Sequence, residues 1–60
     1  METDLAFYQR RASQEVAAAQ AALHPNVRTI HLELKRLYEE RACAIAGRQA
    51  SSPAHLVTAA

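Results

Sequence analysis

Apolar residues recur along the first half of the chain at Leu5, Tyr8, Ala12, Val16, Ala19 and Leu23, at spacings of 3, 4, 4, 3 and 4. A mean period of about 3.6 residues is one stripe of an α-helix, not the alternation of a half-buried strand. Nothing from Thr3 to Leu23 breaks a helix, and Thr3 or Asp4 offers a side-chain oxygen to cap its start. A second stripe follows at Val27, Ile30, Leu34, Leu37, Arg41 and Ile45, again in steps of 3 and 4. His24-Pro25-Asn26 separates the two. Proline disfavours helix in the residue before it but suits a first helical position, so His24 reads as the N-cap and Pro25 as the opening of the second helix.

The pattern therefore predicts helices over 3–23 and 25–47, joined by a loop of about three residues, and helices so joined pack as an antiparallel αα-hairpin. Gly47 is placed to close the second helix in a left-handed C′ conformation, with Arg48 near the negative helix end. The alternative is one further turn, because Arg48, Gln49 and Ala50 all tolerate helix. Ser51-Ser52-Pro53 then resets the chain. The expected organisation is a hairpin over 1–50 and a tail over 51–60, in which residues 54–57 form at most one short turn if Leu56 and Val57 dock.

Phe7 and Leu32 do not fit this two-helix picture. At 100° per residue Phe7 lies nearly opposite the first stripe, beside Ala18 and Ala21. Leu32 lies nearly opposite the second, on the side of Cys43. A helix with apolar residues on two faces has two neighbours, and a hairpin supplies one. Phe7, Ala18, Ala21, Leu32 and Cys43 are accordingly the expected interface residues of a homodimeric four-helix bundle.

Composition strengthens the case for a partner. A 60-residue chain buries only about 60% of the surface its unfolded form exposes. Half of the residues are hydrophobic, but fourteen are alanines, which bring helix propensity and little apolar area. Small scaffolds need disulfides, metal or self-association. One cysteine cannot form an intrachain disulfide, and an isolated thiol fits a reducing cytoplasm. The Met-Glu-Thr-Asp start lacks the basic and apolar regions of a signal peptide, and no run approaches the roughly 20 apolar residues of a membrane span. The expected protein is cytoplasmic, makes no membrane contact, and associates with itself or with another protein.

Catalysis and metal binding find little support. His24, His31, His55 and Cys43 are never within five positions of one another, unlike the paired spacings of local zinc sites. His31 and Glu33 diverge by about 200° on a helix and form no catalytic pair. No glycine-rich phosphate loop, nucleophile elbow or H-E-x-x-H is present. The reading is a non-enzyme without cofactor. His31 and Tyr38 sit at the edge of the second stripe, where an apolar body and a polar tip are both useful. Arg41 interrupts that stripe, with Asp4 as a candidate partner on the other helix. Arg11 with Glu15, Glu33 with Arg36, Lys35 with Glu39 and Arg36 with Glu40 read as supports along solvated helix faces.

The net charge is +1, with acidic and basic residues interleaved, which argues against nucleic acid as the main partner. Arg10, Arg11, Arg28, Lys35 and Arg36 are the best basis for a nucleic-acid-associated regulator, yet Glu33, Glu39 and Glu40 lie among them. A third reading is an inhibitory or adaptor subunit, anti-sigma-like, for a larger regulator.

Phe7-Tyr8-Gln9-Arg10-Arg11-Ala12, Pro25-Asn26-Val27-Arg28, and His31-Leu32-Glu33-Leu34 with Tyr38-Glu39 together form a recognisable series. It resembles small uncharacterised alphaproteobacterial proteins expected to be helical hairpins, with an aromatic-x-R-R-A start and an H-L-E-L-A-x-x-Y-E second helix. The likeness covers about residues 5–42. His24 stands where that pattern has a better capping residue, and Lys35 where it has alanine. The resemblance implies the hairpin fold and carries no activity.

Overall fold

The computed structural model describes residues 2–50, and among them the only regular elements are two helices, α1 (Asp4–Ala21) and α2 (Pro25–Ala50). They run antiparallel and pack side by side, the hairpin that the two stripes predict.

Local chemistry sets the helix ends. Thr3 is the N-cap of α1: its backbone is extended and its hydroxyl accepts from the Ala6 N–H at 3.1 Å. This satisfies one of the four donors that a helix start leaves unpaired. Asp4 adds an acidic group to the positive end of the helix. α1 stops at Ala21 because Ala22 returns to extended backbone, its N–H donating to the Ala19 carbonyl at 3.2 Å. Leu23 is therefore outside the helix and 91% exposed, so its place on the first stripe is not used. The His24 carbonyl accepts from the Arg28 N–H at 3.1 Å, the first bond of α2, and Pro25 opens the helix as its fixed φ favours.

α2 takes the longer of its two alternatives. It passes through Gly47 to Ala50, and Gly47 has no positive φ, so it is an interior helical residue and not a cap. The tail and its expected turn at 54–57 lie outside the described residues.

The packing seam on α2 departs from the expected stripe. The covered residues are His31, Leu34, Lys35, Tyr38, Ala42 and Ile45, whereas Ile30 is 55% and Leu37 49% exposed. Ile30 and Leu37 thus do not face α1 as the stripe suggested. The sequence holds two overlapping stripes on α2 that share Leu34 and Ile45, and α1 covers the one carrying histidine and tyrosine. On α1 the buried residues are Ala12, Glu15 and Ala19. No large side chain is fully buried anywhere in the described hairpin.

Candidate interaction surface

The most enclosed polar group of the hairpin is the Glu15 carboxylate, whose side chain is only 7% exposed. Glu15 stands three residues after Ala12 and four before Ala19, which places it in the same row as both. Its Oε1 lies 2.7 Å from His31 Nδ1 on α2, and its Oε2 accepts from the Arg11 guanidinium at 3.2 Å. A carboxylate only accepts, so this geometry puts a proton on His31 Nδ1. Arg11 also donates to the Gln14 side chain at 2.8 Å and stacks over the Tyr38 ring with 5.3 Å to its centroid. Every buried side-chain polar atom in the described region has a partner.

This cluster corrects the reading of Glu15 with Arg11 as a solvated support. The ion pair exists, but its acid is buried at the helix–helix seam and reaches across to His31. The signal was the 3-and-4 spacing of Ala12, Glu15 and Ala19, which matches the seam as well as Val16 does. Lys35–Glu39 and Arg36–Glu40 do form exposed pairs, at 3.5 and 3.7 Å. Glu33 and Arg36 do not join.

Toward the open end of the hairpin, aromatic rings take over from the polar cluster. Tyr8 and Tyr38 approach across the seam with centroids 6.1 Å apart, and Phe7 meets Tyr8 edge-on at 5.3 Å. Arg41, the break in the apolar stripe, lays its guanidinium over Tyr8 at 5.9 Å to the centroid. Asp4 borders the same hollow as Arg41 without forming an ion pair to it. Arg10 stacks over Phe7 at 5.4 Å and bridges to Glu2 at 2.9 Å. The Arg10 hydrogen bond holds the Glu2 carboxyl below its ordinary value; desolvation opposes it, and the Arg10 charge adds a lesser pull in the same direction as the bond.

The five expected interface residues divide between two flanks. Val16 and Leu32 border one groove, and Val16 and Cys43 border the next along the same flank. Gln9, Ser13, Gln20, Arg28 and Glu39 line these grooves too, although apolar atoms make up most of their walls. Phe7 is nine residues from Val16, about 180° round α1, and Ala18 shares its row. Ile30 and Leu37 are likewise turned away from Leu32 on α2. Phe7, Ala18, Ile30 and Leu37 therefore occupy the second flank, which holds three of the six exposed large apolar residues among the described residues; Val27 is in line with the seam residue Ile45, at the closed end of the hairpin. Ala21 is exposed on the back of α1, at its last residue.

Other chemistries find no assembled site. Among the described residues no three His, Cys, Asp or Glu side chains stand together as a metal would require. His55 lies outside them. No described helix is long and apolar enough to cross a membrane. No protein-family model, curated protein or solved structure matches the chain.

Proposed function

We propose that this chain is a non-enzymatic protein–protein interaction module that associates with itself, as a homodimer built on its helix faces. One observation carries the reading. The hairpin fully buries no large side chain, while Phe7, Val27, Ile30, Leu32 and Leu37 stand exposed on it. A two-helix unit whose core is two alanines and one hydrogen-bonded glutamate has little apolar burial to set against the entropy of ordering about 1–2 kcal/mol per residue. Covering an exposed face with a second hairpin is the remedy open to a chain with a single cysteine, and it suits the reducing cytoplasm that this thiol fits.

The alternative of a nucleic-acid-associated regulator is less well supported. Arg10, Arg11, Lys35 and Arg36 are each engaged by a carboxylate, so the basic groups do not collect into one unneutralised patch. Sedimentation equilibrium tests the proposal. A dimer mass at micromolar concentration is expected, and a folded monomer across the accessible range refutes it. A folded monomer would point instead to the adaptor reading, with a different protein covering the exposed faces.

A further inference from the structure

The seam between α1 and α2 uses only one of the two stripes of α2. The other, continued through Ala44 in place of Ile45, runs Val27, Ile30, Leu34, Leu37, Arg41, Ala44 and Arg48 in strict steps of 3 and 4, and shares Leu34 with the seam. This is a heptad pattern, with a positions at 27, 34, 41 and 48 and d positions at 30, 37 and 44. We infer that this face, and not the Leu32 flank, receives a second copy of the chain, with the two α2 helices antiparallel and Ile30 of each copy beside Leu37 of the other. The inference rests on the self-association reading and specifies its surface.

Three observations lead there. The first is apolar content. Val27, Ile30 and Leu37 are 40%, 55% and 49% exposed, and Phe7 extends the patch on α1. On the opposite flank Leu32 is the one exposed large apolar residue among the described residues, and the apolar walls of its grooves come mainly from alanines and the half-covered Val16.

The second is area. In this register the 18 residues of α1 and residues 25–42 of α2 each rise about 27 Å, and two helices of about 10 Å diameter side by side make a face of about 540 Å². Two such faces together remove about 1,100 Å² from water, which reaches the roughly 1,000 Å² that a stable interface needs.

The third is charge, which decides the direction. A parallel pairing would set Arg41 against Arg41 and Arg48 against Arg48 at a positions, like charges facing in a closing seam. With Ile30 beside Leu37 in an antiparallel pairing, Arg41 falls opposite Asn26 and Arg48 passes beyond the start of the other α2. The apolar half of each stripe then meets the apolar half of its copy. Arg41 is already turned onto Tyr8 and keeps that contact.

Sedimentation equilibrium and disulfide trapping together test the assignment. Ile30→Glu with Leu37→Glu is expected to shift the dimer to monomer at concentrations where Leu32→Glu remains dimeric. A dimeric wild type that survives the first change and is lost with the second overturns the assigned face while leaving self-association intact. A monomeric wild type overturns both. Because a separated monomer can unfold, trapping supplies an independent measurement on the intact dimer. In a Cys43→Ser background, Ile30→Cys and Leu37→Cys proteins are mixed and oxidised with copper phenanthroline. The expected product is a mixed disulfide dimer, with neither protein cross-linking to itself. Self-cross-linking of each alone would show parallel helices, and no cross-link in a dimeric mixture would show another face. Either result overturns the assignment.

Discussion

A single glutamate sets most of the polar character of this hairpin's interior. Glu15 is buried and bonded to both Arg11 and His31. Removing one member of such a group strands the others, whereas replacing both partners by apolar residues of similar shape is close to neutral or favourable. Glu15→Ala is thus expected to cost about 1–3 kcal/mol. Glu15→Leu combined with His31→Leu should recover most or all of that, as read from chemical denaturation of the three proteins at equal concentration. Equal losses in the single and double variants would show that the contact matters only for its own strength. Glu2 gives a simpler case at the surface. Its carboxyl is held low by Arg10, so folding favours the ionised form. That contribution is present above the ordinary value of 4.5 and fades as pH falls through the lower folded value. NMR titration should give Glu2 a lower midpoint in the wild type than in Arg10→Gln, and identical midpoints would show the bridge to be absent in solution.

At the level of elements, spacing and punctuation made both helices legible in the sequence. Thr3 caps α1 and Pro25 opens α2 for reasons that each residue carries in its own side chain. What spacing could not choose was the seam of α2. His31, Leu34, Tyr38 and Ile45 are as helical a row as Ile30, Leu34, Leu37 and Ile45, and hydropathy favours the latter. The choice falls to pairwise contacts across the hairpin, Glu15 to His31 and Tyr8 to Tyr38, which no pattern on one helix reveals. The same contacts explain why Arg41 could sit in an apolar stripe: that stripe is not the one α1 covers. Gly47 is the clearest place to improve an element. It is helical and exposed, and a Cβ added there would meet nothing within 4 Å. Gly47→Ala should stabilise the protein by about 0.5–1 kcal/mol, seen as a higher thermal midpoint. A lower midpoint would mean that the end of α2 is not helical in solution.

For the molecule as a whole, stability and assembly are expected to be one quantity. If a second copy supplies the missing apolar burial, mass action makes the thermal midpoint rise with protein concentration. Calorimetry over a hundredfold range of concentration should show that rise, and a constant midpoint would identify a hairpin that is stable by itself. Within each copy, the most buried side chains that α1 contributes beside Glu15 are Ala12 and Ala19, which give α2 an almost smooth rail in the middle of the seam. Such a rail holds the helices together without distinguishing one axial position from another a turn away, about 5.4 Å along. The 2.7 Å contact from Glu15 to His31 does distinguish them, because a slide of that size breaks it. It works as a key cut for one position. The variant with leucine at both sites should then be a hairpin that is no weaker but less unique, its NMR lines broadened or doubled by helices that no longer agree on where to stop.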